Sequence, residues 1–175
     1  MNIVLIGYRC SGKTSVGKII AEKINRKFID TDVMIEEKAG SSIEEIVEGK
    51  GWEYFRDLEK KVIKEVSEMD NLVIATGGGV VTDVENIKNI KRSGFVVWLK
   101  AGMDILKGRM QEERGSGMAR PSLTGKEPTE EIKDVLDVRN PMYDNAGDIV
   151  IETDRVSAAK VAESIILEAK KRFGL

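Results

Sequence analysis

Residues 7–14 read Gly-Tyr-Arg-Cys-Ser-Gly-Lys-Thr, a full match to G-x-x-x-x-G-K-[ST]. Such a turn aims successive backbone N–H groups at one point before a positive helix end, forming a nest for a phosphate chain. Lys13 can reach the β- and γ-phosphates, and the Thr14 hydroxyl can ligate Mg²⁺. The apolar run 2–6 stands in front as a buried strand, and a helix is expected from about Lys13. The implied chemistry is nucleoside triphosphate binding. Cys10, inside the loop, reads as a small residue with no catalytic task.

Asp30 and Asp32 follow a short apolar stretch with i, i+2 spacing. On an extended backbone both project to one side; at a helix start the first would act as a cap instead. Beyond the carboxyl end of a strand, beside a phosphate loop, such a pair suits Mg²⁺ support and receipt of a substrate proton. Thr76-Gly77-Gly78-Gly79 closes another apolar run and lets backbone amides approach a ligand. That run lacks the aspartate that serves Mg²⁺ in many proteins with this loop, so the metal must rely on Thr14, phosphate oxygens, water and Asp30. The departure argues against an ordinary GTPase or motor ATPase. Arg56, Arg120 and Arg139 can each grip a carboxylate or neutralise phosphate charge, with a solvated ion pair as the competing reading. Arg139 and Tyr143, four residues apart, share a helix face unless Pro141 bends it.

These side chains need a frame. The 175 residues suffice for one domain with a real core. With 28 basic and 30 acidic residues the net charge is −2, which gives no global attraction to nucleic acid or an anionic membrane. There is no histidine, so proton transfer falls to a carboxylate, lysine, tyrosine or water. One cysteine excludes an internal disulfide and fits a reduced cytoplasmic location; neither a signal-peptide pattern nor a membrane-length apolar run is present. Further strands are expected at 28–30, 72–76, 95–99 and 149–152. Helical periodicity lies at about 13–25, 33–39, 43–49, 52–69, 83–91, 103–113, 129–143 and 157–172. Ser42-x-x-Glu45 is a capping box, and Gly40 stops the helix before it. In the last helix Ala158, Ala162, Ile165, Ala169 and Phe173 form one apolar stripe.

Strands alternating with helices specify a parallel α/β sheet covered on both faces. Two insertions break the rhythm. Residues 31–70 hold more helix than one crossover needs, and 114–128, rich in glycine and charge, has the composition of a mobile loop, which beside a phosphate loop reads as a lid in preference to a plain surface connection. No helix carries a sustained exposed apolar stripe, which points to a monomer.

Together these residues resemble the shikimate kinase family over nearly the whole chain. Phe28-Ile29-Asp30-Thr31-Asp32 is similar to its F-x-D-x-D motif and Phe55-Arg56-x-x-Glu59 to its F-R-x-x-E motif. Residues 76–79 match its glycine triplet, Arg120-Pro121-x-Leu123 its lid, and Arg139-x-x-x-Tyr143 its C-terminal substrate motif. The resemblance implies a P-loop NTPase fold of the nucleoside-monophosphate-kinase type, with five parallel strands in order 2-3-1-4-5. It implies transfer of the ATP γ-phosphoryl to the 3-hydroxyl of shikimate, on the way to chorismate and aromatic amino acids. Carried over, Cys10, Ser11, Gly12, Lys13, Thr14 and Ser15 hold phosphates, while Thr14 and Asp30 serve Mg²⁺. Asp32 binds the shikimate hydroxyls as candidate base; Arg56, Arg139 and the Gly78 backbone clamp the acid; Arg120 closes over the transferring phosphate. Arg109 is similar to the residue that packs near adenine, where Arg155, Val156 or neither joins it. The family often has glycine where this chain has Cys10.

The nearest rival is another small-molecule kinase of this fold, such as a gluconate or nucleotide kinase, although the two arginine motifs favour a carboxylate acceptor. A regulatory nucleotide-binding module without catalysis should lack Asp32 or the lid arginine. This chain has both.

Overall fold

Strand β1 (Asn2–Ile6) is buried from end to end and alternates between two cores: Val4 and Ile6 face one, Ile3 and Leu5 the other. That pattern requires cover on both sides, and the chain supplies it. The computed structural model describes residues 1–115, 121–125, 127 and 129–174. After β1 come α1 (Lys13–Lys23), β2 (Lys27–Asp30), α2 (Thr31–Ala39), α3 (Ile43–Ser67), β3 (Leu72–Ala75), α4 (Val84–Ser93) and β4 (Gly94–Lys100). The chain then forms α5 (Met103–Gly115), α6 (Ile132–Ala146), β5 (Ile149–Glu152) and α7 (Ala158–Phe173). All strand pairs are parallel, in the order β2-β3-β1-β4-β5, as the family resemblance implies.

Helices α1 and α7 cover one face through Val16, Ile20, Val161 and Ile165. Helices α2, α3, α4 and α6 cover the other through Ile35, Val62, Ile63, Ile90 and Tyr143. Each such buried aliphatic side chain stabilises by roughly 1.5–3 kcal/mol, against a few tenths for most helix propensities, so the two cores fix where the helices lie. Among the described residues no helix is long and apolar enough to cross a membrane.

Several boundaries differ from expectation for local reasons. The patterns at 43–49 and 52–69 join into one helical run, α3, broken at Gly51, where φ is 82° and ψ is 169°. Its start is the expected capping box: Glu45 N–H donates to Ser42 Oγ at 3.2 Å and Ser42 N–H to Glu45 Oε2 at 2.8 Å. Helix α2 begins at Thr31, two residues early, because Asp30 caps it. Phe173, at the end of the α7 stripe, is half exposed with its ring 5.3 Å from that of the buried Phe95, and Val161 adds a buried position to that face.

Register brings the chemistry to one edge. Ala75 pairs with both Leu5 and Asp30, so β1, β2 and β3 end level. The residues just beyond them (the phosphate loop, Asp32 and the glycine triplet) therefore emerge side by side at the carboxyl edge of the sheet. Thr76 anchors that edge: its N–H and hydroxyl both donate to Leu5 O at 3.1 Å. Gly77 N–H donates to Thr31 Oγ1 at 3.1 Å, tying the triplet to the start of α2.

Candidate active site

A cleft of about 500 Å³ opens at this edge, lined by residues 10–16, Asp30, Asp32, Arg109 and Thr153. The buried Lys13 ammonium donates to the carbonyls of Gly7 and Tyr8, each at 2.8 Å, which holds it over the loop. Thr14 Oγ1 donates to Asp30 Oδ2 at 2.8 Å. The other Asp30 oxygen accepts the Asp32 N–H at 3.1 Å, so Asp30 is the cap of α2 and the backbone does not stay extended through the pair. Both carboxylates reach the cleft, but from a helix start rather than from a strand.

Cys10 has φ 60°, the left-handed region that costs a non-glycine residue roughly 1–2 kcal/mol. A glycine, common there in the family, would avoid that strain. The Cys10 thiol donates to Glu113 Oε2 at 3.2 Å, and its carbonyl accepts from Arg109 Nη1 at 3.1 Å. Arg109 Nη2 also donates to Thr153 O at 3.1 Å, so α5, the loop and the end of β5 are joined by one guanidinium. Arg155 sits at φ 56° with an exposed side chain, and Val156, also exposed, lines the cleft.

A second, smaller cavity of about 50 Å³ lies beside the first, lined by Asp32, Arg56, Glu59, the triplet and Arg139. Asp32 is the one residue common to both linings among the described residues. Arg56 Nη1 donates to Glu59 Oε2 at 2.6 Å, and its guanidinium stands 5.4 Å from the Trp52 ring centroid and 5.1 Å from that of Phe55. The glycine triplet makes this crowding possible. A β-carbon on Gly77 would lie 2.7 Å from both Asp32 Oδ1 and Glu59 Oε1, and one on Gly79 would collide with the Arg56 guanidinium. Helix α6 continues through Pro141, so Arg139 and Tyr143 do share a face. Both donate to Gly78 O, at 3.1 and 2.5 Å. Burial pushes the Tyr143 hydroxyl well above the ordinary phenol range, against the opposing pull of Arg139, so it remains a donor at any working pH.

Sequence reasoning gave no site role to Glu59, which is almost fully buried and leaves Oε1 without a hydrogen-bond partner among the described residues. Its i, i+3 spacing from Arg56 was the available signal. Burial raises its pKa above the carboxylate reference of 4.5, with Arg56 pulling the other way. The folded state thus binds a proton at a pH where the unfolded chain has lost it, and stability should fall as pH rises from about 4.5 through the raised value. Glu59→Gln should flatten that part of a Tm-against-pH curve; an unchanged slope would show that Glu59 is not its source. Arg120 lies outside the described residues, as does part of the expected lid at 114–128.

The shikimate kinase family model matches residues 9–170 of the chain. A shikimate kinase from Sulfurihydrogenibium sp. (strain YO3AOP1) is 40% identical over 171 residues, covering 98% of this chain and 99% of its own. One from Thermodesulfovibrio yellowstonii is 41% identical over 170 residues, with 97% and 95% covered. Among solved structures, shikimate kinase from Acinetobacter baumannii in complex with shikimate superposes with a TM-score of 0.90 at 34% identity, covering 98% of this chain and 94% of that one. The Aquifex aeolicus shikimate kinase gives 0.80 at 32% identity, with 98% and 97% covered. With its motifs, strand order and nearly full-length matches in agreement, the chain belongs to the shikimate kinase family.

Proposed function

We propose that the family reaction, transfer of the ATP γ-phosphoryl group to the 3-hydroxyl of shikimate, runs in this chain where the two cavities meet, at Asp32. The observation that carries this reading is the position of Asp32 on the walls of both. ATP occupies the larger cleft, its phosphates on the 10–15 loop and Lys13, with Arg109 and Val156 toward the base. Shikimate occupies the smaller cavity, its carboxylate held by Arg56 and Arg139 beside Gly78. Asp32 orients the acceptor hydroxyl and takes its proton. Phosphoryl transfer needs little covalent work from the protein, so positioning and charge neutralisation suffice, and the lack of histidine is no handicap. Arg120 is assigned to the transferring phosphate on its motif alone.

The smaller cavity is tight compared with ordinary ligand clefts of about 300–1,000 Å³. Binding of a ring-sized acid therefore requires its walls, the insertion at 31–70 and residues 121–125, to separate and close again. A reducing cytoplasm and a monomeric state suit the single cysteine and the absence of an exposed apolar stripe.

The residues present fit Mg²⁺. Thr14 Oγ1 and Asp30 Oδ2, 2.8 Å apart at the cleft, are hard oxygen donors. Magnesium keeps several waters and takes one or two protein oxygens beside substrate phosphates, so two donors are enough. When bound, the ion neutralises charge on the β- and γ-phosphates. Thr14→Val should raise the Mg²⁺ concentration needed for tight ADP binding by about tenfold or more, read by calorimetry. Unchanged Mg²⁺ dependence would remove Thr14 from the metal site.

ADP release measured with shikimate, gluconate, quinate and AMP as separate acceptors tests the substrate. Shikimate-dependent release is expected. Turnover with another acceptor alone would favour a different small-molecule kinase, and nucleotide binding without turnover would favour a regulatory module.

A further inference from the structure

A buried ion pair outside the reacting groups ties the phosphate loop to the wall of the acceptor cavity. Glu131, with no exposed surface, stands just before α6 and forms a salt bridge through Oε1 with Arg9, which is 6% exposed. Its other oxygen accepts from Ser122 Oγ at 3.0 Å, from Leu123 N–H at 2.8 Å, and from Thr124 N–H and Oγ1 at 2.9 and 3.0 Å. Arg9 adds bonds from Nη1 to Pro121 O at 3.2 Å and from Nε to Tyr8 Oη at 3.3 Å. Arg9, Pro121 and Leu123 line the acceptor cavity, while Cys10, next to Arg9 in the chain, lines the nucleotide cleft.

An exposed connection satisfies its donors with water and needs no buried carboxylate. A buried pair pays heavy desolvation for little net stability, so stability alone is a poor reason for this one. Its geometry supplies a better one. A single carboxylate holds a phosphate-loop side chain with one oxygen and the backbone of 123–124 with the other.

We propose that Arg9 and Glu131 are positioning residues that hold the 121–125 wall of the acceptor cavity in register with the phosphate loop. The pair acts through the wall: Glu131 is fully buried, and Arg9 directs its side-chain donors to Glu131, Pro121 O and Tyr8 Oη. This rests on the assignment of shikimate to the smaller cavity.

The test uses the Arg9→Met/Glu131→Gln double variant, which leaves no unpaired buried charge, and Ser122→Ala, which loosens the outer edge of the network. Shikimate KM, kcat, ADP affinity, Tm and amide exchange at Leu123 and Thr124 are measured on each. In the double variant, shikimate KM should rise on the order of ten- to a hundredfold, up to the cost of a misplacement of about an ångström, with ADP affinity within about twofold. Exchange at both amides should quicken. Ser122→Ala should move KM the same way by a smaller factor at unchanged Tm. A folded double variant with wild-type shikimate KM, or with unchanged exchange at 123 and 124, would overturn the proposal. So would a fall in Tm with no change in KM, the mark of a purely structural pair. Failure of the wild-type chain to turn over shikimate would instead remove the substrate assignment, while the exchange measurement would still decide whether Glu131 holds the segment.

Discussion

Asp32→Asn is expected to lower kcat by roughly 10²–10⁴-fold, with both KM values within a few-fold of wild type. The amide keeps the shape of the carboxylate and can still contact the acceptor hydroxyl, but it cannot take the proton. Stability should change little. Asp32 lies in the first turn of α2, where a negative charge contributes only about 0.3–1 kcal/mol, and Asp30 remains to cap the helix. A loss of kcat therefore reads as chemistry rather than unfolding. Steady-state ADP release, with circular dichroism as a check on folding, is sufficient. A variant retaining near-wild-type kcat would mean that another group or water accepts the proton.

Arg139→Met should raise shikimate KM by about 30-fold to several thousand-fold, the range for truncating one partner of a close charged pair at 2–5 kcal/mol. Its structural cost is small. Gly78 O loses one donor but keeps Tyr143. The corresponding change at Arg56 is less clean, because Glu59 would be left buried without its cation, at a cost of about 3–5 kcal/mol. Pairing Arg56→Met with Glu59→Gln removes that complication and should give a similar rise in KM with nucleotide affinity preserved. Wild-type KM in Arg139→Met would place the acid elsewhere.

What was legible in the sequence follows the range over which each interaction acts. The strand-loop-helix unit around residues 7–14, the capping box at Ser42 and the break near Gly51 are local, set by residues within a few positions of one another. The strand order came from motif resemblance, not from periodicity, because alternation alone fixes cover but not neighbours. Asp30 shows the limit of spacing: i, i+2 was compatible with a strand or a cap, and the adjacent helix selected the cap. Arg9 and Glu131 left no trace in local pattern, being 122 residues apart and brought together only when α6 packs under the phosphate loop. Glu59 was visible as a motif residue, but its burial, and hence its raised pKa, depended on the glycine triplet closing over it.

The most direct measurement is a crystal structure of the chain with shikimate and a non-hydrolysable ATP analogue. The expected result has triphosphate on the 10–15 loop, the acid between Arg56 and Arg139, and an Asp32 oxygen within hydrogen-bond distance of the 3-hydroxyl. Shikimate bound with that hydroxyl out of reach of Asp32, or in a pocket not adjoining the nucleotide, would contradict the assignment.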